Sequence, residues 1–106
     1  MEQILFLREE FFPLIDEGTK TSTLRKGKRD ISCGPLIFKR ADCPNIHINV
    51  MVTEVNYIPY EKLSTVEANL EGYMTIGALR NVLSDIYGPI GDNEIFTQIT
   101  FYRVQE

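Results

Sequence analysis

Between Ile46 and Ile58 apolar and polar side chains alternate over the length of a long strand. Ile46, Ile48, Val50 and Val52 line one face, and His47, Asn49, Met51 and Thr53 the other. Glu94 to Val104 alternates likewise, with Thr97, Ile99, Phe101 and Arg103 set against Phe96, Gln98, Thr100 and Tyr102. Two shorter segments also read as strands. Thr21 to Arg25 is rich in β-branched residues, and Pro35 to Arg40 carries Leu36, Ile37 and Phe38. Helical spacing is clearest in Ile76, Leu79, Val82, Leu83 and Ile86, with Thr75 placed to cap the start and Gly88-Pro89 to end it. Arg8 to Glu17 is a second helix, carrying Phe11, Phe12, Leu14 and Ile15; Pro13 fits it if the helix starts at about residue 12, and Gly18 stops it. Pro59 to Leu63 reads as a turn. Thr65 to Leu70 reads as a short helix capped by Ser64 or Thr65, broken at Gly72-Tyr73.

The resulting order is helix, strand, strand, long strand, helices, strand. Strands and helices do not alternate as a parallel α/β fold requires, so the expected class is α+β. Such a chain most simply forms a small curved or barrel-like sheet with helices over its open side. No repeat, linker or low-complexity tract divides it, and residues 1 to 106 are expected to form a single domain.

Composition narrows this only a little. With 43% hydrophobic and 25% charged residues, the chain has the make-up of an ordinary globular protein able to bury a core without metals or disulfides. No window is apolar for long enough to span a membrane, and the start, MEQILFLREEFF, lacks the features of a signal peptide. Cys33 and Cys43 form no CxxC pair and read as free thiols of a cytoplasmic protein; they are given no role. His47, the one histidine, cannot build a His-rich metal site and reads as structural or exposed. No cofactor, metal or membrane partner is expected.

Charge changes the picture more. The net charge is −4, yet residues 20 to 40 hold seven cations (Lys20, Arg25, Lys26, Lys28, Arg29, Lys39 and Arg40) against Asp30 alone. A basic segment on an acidic body suits an anionic partner docked at one place, or is a solvated loop that only aids solubility. It does not suit wrapping of long nucleic acid, which calls for a basic protein overall. Within the segment, strand alternation puts Thr21, Thr23 and Arg25 on one face and Ser22 and Leu24 on the other. Two hydroxyls and a guanidinium on one face would line a pocket for a polar, planar or anionic ligand. An edge strand protected by threonines and cations is the competing reading. Lys20, just after the Gly18 hinge, is free to swing toward Thr23.

The motif Gly18-x-Lys20-x-x-Thr23-x-Arg25 resembles the signature of the ASCH domain family, small RNA-related proteins with a PUA-like β-barrel. Leu70-Glu71-Gly72-Tyr73-Met74-Thr75, followed by the helix ending Leu83-Ser84-Asp85-Ile86-Tyr87, looks like the second family block, and Ile95 to Tyr102 fits the closing strand. The resemblance covers nearly the whole chain and implies a small PUA-like barrel flanked by helices. In length and layout the chain is similar to one branch, the bacterial N4-acetylcytidine amidohydrolases, which remove the acetyl group from the exocyclic amine with a lysine, a threonine and a glutamate. Carried onto this chain, that implies Lys20, Thr23 and Glu71 as catalytic residues. Lys26 stands where that branch commonly has an aspartate, Gly34-Pro35 where a Gly-Asp pair is typical, and Glu71 one residue farther from Met-Thr than its counterpart.

The chemistry is coherent. A threonine hydroxyl needs a base, and a neutral lysine can serve. Glu71 would protonate the leaving amine or position water, and backbone donors or Arg25 would hold the oxyanion. Glu71 can instead be a solvated or capping residue. Thr21, Arg25 and Tyr73 are expected to bind the ligand. Tyr73 and Tyr57 present faces suited to a nucleobase, or rim the core. Two functions follow. One is hydrolysis of a small N-acylated nucleoside without metal. The other is non-catalytic binding of RNA or a nucleotide through Lys26, Lys28, Arg29, Lys39 and Arg40.

Overall fold

A computed structural model describes residues 2 to 104. Strand β1 (Ile4–Leu7) leads through a 3₁₀ turn (Glu9–Phe11) into α1 (Phe12–Asp16). Then come β2 (Ser22–Lys26), β3 (Gly34–Arg40), β4 (His47–Pro59), a second 3₁₀ turn (Tyr60–Lys62), α2 (Thr65–Leu70), α3 (Ile76–Tyr87) and β5 (Ile95–Arg103). The five strands form one curled sheet in the order β1-β3-β4-β5-β2, parallel between β1 and β3 and antiparallel elsewhere. This is the α+β, half-barrel architecture with flanking helices that the sequence predicts.

Pro13 lies in the first turn of α1, where its missing N–H removes no helical bond, so the 3₁₀ turn and helix absorb it without a kink. Thr75 caps α3, accepting from the Ala78 N–H at 3.1 Å. Ser64 caps α2 in a capping box: its backbone N–H donates to Glu67 Oε1, and its hydroxyl accepts from Val66 N–H. Ser64→Ala is expected to cost about 1 kcal/mol. That lowers the thermal midpoint by roughly 4–8 °C, readable by circular dichroism.

Three details differ from the pattern in the sequence. Residues 4 to 7 form β1, an apolar run without alternation whose strand character depends on pairing with β3. On β4 the register shifts between Val52 and Glu54, leaving Thr53 unopposed at a bulge, so the inward stripe passes from Val50 and Val52 to Val55. On β5 both faces are covered from Phe96 to Ile99. The Thr97 hydroxyl accepts from Arg29 N–H at 2.8 Å and donates to Gly27 O at 2.6 Å, which folds the basic loop over the strand.

The core has two parts. One gathers Phe11, Phe12, Ile15, Leu36, Phe38, Val50, Val52, Ile99 and Phe101 beside Leu7. The other packs Leu24, Leu63, Ala68, Leu79, Leu83 and Phe96 under α2 and α3. Tyr73 touches both. Strands β1 and β2 are the two edges of the sheet, and the seam between them is where the site lies.

Candidate functional site

A narrow cleft enters the molecule at this seam. From the strands it is lined by Phe6 and Leu7 of β1 and by Thr23, Leu24 and Arg25 of β2. Lys20, Glu71 and Tyr73 complete its polar wall, and α3 adds Leu79, Val82, Leu83 and Tyr87. Its inner space is about 70 Å³, enough for a few waters or the reactive edge of a planar group. Lys20, Thr23 and Glu71 are buried, whereas Phe6 and Arg8 are exposed at the rim.

Local sequence explains how the floor is assembled. Gly18, with φ +84°, turns the chain after α1. Lys20 N–H then donates to Leu14 O at 3.0 Å, and Thr21 N–H to Leu70 O at 2.8 Å. That second bond ties the start of β2 to the end of α2. Gly72, with φ +93°, lies close to Thr19; a β-carbon there would stand 3.4 Å from Thr19 Cγ2 in a conformation that side chains rarely adopt. The two glycine turns thus bring residues 51 positions apart together: Lys20 Nζ donates to Glu71 Oε1 at 2.8 Å.

This ion pair is almost wholly buried, with side-chain exposures of 2% and 6%. Such a pair is weak evidence for stability but strong evidence of constraint, because each charge depends on the other. Lys20 Nζ also lies 5.1 Å from the Phe11 ring centroid, over its face. Burial pushes the Glu71 carboxyl above the usual carboxylate range; Lys20 pulls it back most, then the Ser22 hydroxyl and Arg25. Glu71 Oε2 is buried without a hydrogen-bond partner. Burial raises the Tyr73 phenol, and Glu71 and Glu10 add to this. Burial lowers Arg25 below the ordinary guanidinium value, with Tyr87 opposing; it stays charged.

The residues singled out in the sequence divide cleanly. Lys20, Thr23, Arg25, Glu71 and Tyr73 share the cleft. Thr21 does not line it: it precedes β2, and its backbone binds Leu70 and Phe101. Arg25 is already engaged, donating from Nη2 to Phe6 O at 2.5 Å across the seam. Tyr57 is away from the cleft, with its hydroxyl donating to Arg29 O and Lys28 Nζ over its ring.

The basic segment does not become one patch. Lys26 stands 3.9 Å from Glu94. Arg29 Nε donates to Lys26 O, and Arg40 makes a two-point contact with Asp42 and a longer one with Glu9. Lys26 pairs in register with Phe96, which faces Ile58, while Lys39 pairs with His47 at the opposite end of β4. Phe6, Arg8, Phe11 and Tyr87 are cleft residues that no spacing in the sequence singles out, since Phe6 arrives from β1, Arg8 and Phe11 from the start and end of the first 3₁₀ turn, and Tyr87 from the end of α3.

Among the described residues no cluster of three or more His, Cys, Asp or Glu side chains could hold a metal ion, and no helix is long and apolar enough to cross a membrane.

No protein-family model and no curated protein matches the sequence. Solved structures do match the fold. An ASCH domain from Lactobacillus crispatus superposes with a TM-score of 0.70 at 16% identity, over 96% of this chain and 79% of that one. A protein from Enterococcus faecalis gives 0.69 at 17%, over 98% and 80%. A mutant of the ASCH protein from Zymomonas mobilis gives 0.67 at 15%, over 98% and 73%. The chain therefore has the PUA-like fold of ASCH domain proteins.

Proposed function

We propose that the protein is a metal-independent amidohydrolase that removes the acetyl group from N4-acetylcytidine or a related N-acylated nucleoside. The observation that carries this reading is the buried Lys20–Glu71 pair in the same cleft as the Thr23 hydroxyl. A proton passing from Lys20 to Glu71 within the pair leaves a neutral amine and a carboxylic acid, which is the base and acid that acyl transfer needs. Burial raises the Glu71 carboxyl, which makes it the readier acceptor of that proton.

The steps balance. Lys20 takes the Thr23 proton as Oγ attacks the acetyl carbonyl. The carbon–nitrogen bond breaks, and Glu71 gives its proton to the departing amine. Thr23 now carries the acetyl ester, beside a lysine ammonium and a glutamate carboxylate. Water then attacks the ester, Glu71 takes the water's proton, and Lys20 returns a proton to Thr23. Arg25 borders the same space and can hold the developing oxyanion if it leaves Phe6 O. Phe6, Tyr73 and Tyr87 offer flat faces to the base, with the sugar toward the rim.

Binding of RNA phosphates by Lys26, Lys28, Arg29, Lys39 and Arg40 draws less support, since these cations are spread over two ends of β4 and Lys26 and Arg40 face acids. Salt separates the two readings. Turnover of the neutral nucleoside is expected to change less than about twofold from about 50 to about 300 mM salt, whereas binding through several phosphates falls by orders of magnitude over such a range. Absence of turnover together with salt-sensitive binding of short RNA would replace the hydrolase reading by the binding one.

A further inference from the structure

Ser22 Oγ and Glu71 Oε2 are both buried and both without a hydrogen-bond partner. One is a rotatable donor and the other is an acceptor. They belong to neighbouring segments, because the residue before each takes part in the bond from Thr21 N–H to Leu70 O. Lys20 occupies Glu71 Oε1, so Oε2 is the oxygen left over. Leaving both groups unpaired forfeits the water each held in the unfolded chain, and one bond between them would remove both costs.

We infer that Ser22 is a positioning residue for Glu71: when the carboxylate is ionised, the Ser22 hydroxyl donates to Oε2, so Lys20 and Ser22 each hold one oxygen. The contact needs only the fold, but its effect on catalysis rests on the hydrolase reading above. In that cycle Glu71 becomes a carboxylate after protonating the amine and must then accept a proton from water. A hydroxyl on Oε2 steadies that form and fixes the direction in which the carboxylate faces the cleft. Three other groups act on Glu71: Lys20, just before β2, and Arg25 on β2 favour its charge, and Tyr73, just after α2, lies near it. Ser22 works with Lys20 and Arg25 against burial.

The test follows the Glu71 side-chain carboxyl directly, by carbon-13 NMR titration of the wild type, Ser22→Ala and Ser22→Thr. In Ser22→Ala the midpoint is expected to rise by about one pH unit, the size of a hydrogen bond to a charged group. Ser22→Thr keeps the hydroxyl and should restore the midpoint to within about 0.3 unit. If Ser22→Ala does not fold, Ser22→Cys, a weaker donor of similar size, takes its place. An unchanged midpoint in the variant without the hydroxyl overturns the inference. With an acetylated nucleoside as substrate, the acid limb of kcat/KM should move upward by the same amount. A shifted carboxyl titration without hydrolysis, in the wild type as well, upholds the contact and rejects the hydrolase reading.

Discussion

Lys20→Met is expected to destabilise the protein by about 3–5 kcal/mol at neutral pH, because it leaves a buried carboxylate without its cation. The loss should depend on pH in a definite direction. Burial already raises the Glu71 carboxyl, and removing Lys20, the strongest opposing influence, raises it further. A group raised in the folded state favours folding fully below its unfolded value of about 4.3, and this is lost as pH rises through the folded value. The deficit of Lys20→Met should therefore be small near pH 4 and grow as pH rises through the raised value. A double variant, Lys20→Met with Glu71→Leu, removes both charges and should recover most of the loss. Urea unfolding followed by circular dichroism, at acidic and neutral pH, measures all three chains. A loss independent of pH, or a double variant no better than the single one, would mean that the pair is not interdependent as the geometry implies.

Thr23→Ala is expected to separate chemistry from stability. Thr23 is buried on β2, yet its replacement removes only a hydroxyl and a methyl and leaves the Lys20–Glu71 pair intact. Stability should fall by no more than about 1–2 kcal/mol. Hydrolysis should fall at least about a thousandfold, since no other hydroxyl in the cleft lining except those of Tyr73 and Tyr87 remains, and these are phenols. Thr23→Ser keeps a nucleophile and should retain measurable activity. Urea unfolding and initial rates on the same preparations check both halves. Equal activity in Thr23→Ala and the wild type would remove Thr23 from the chemistry.

How far this was legible in the sequence varies along the chain. The helix at Ile76–Tyr87, its Thr75 cap and the Ser64 cap follow from local rules, and the structure keeps them. Strand β1 did not announce itself, because four apolar residues gain strand character only from the parallel partner β3. The bulge at Thr53 and the two-sided burial of β5 come from tertiary packing, which no period of two encodes.

The site divides along the same line. Lys20, Thr23 and Arg25 stand out through spacing, Glu71 through a resemblance and Tyr73 through its aromatic face, so five of the cleft residues are accessible. Strand alternation puts Ser22 on the face opposite Thr23, and nothing in that pattern points to Glu71. The concentration of cations from Lys20 to Arg40 misled in a different way. Neighbours in sequence were sent to the two ends of β4, and a dense charge run became several separate contacts.

The most direct test is hydrolysis of N4-acetylcytidine by the purified protein in metal-free buffer, with Thr23→Ala and Lys20→Ala alongside. Release of cytidine and acetate by the wild type, and by neither variant once each is shown to be folded, is the expected result. No release at high enzyme concentration, or turnover that survives both substitutions, would contradict a threonine nucleophile served by the buried lysine–glutamate pair.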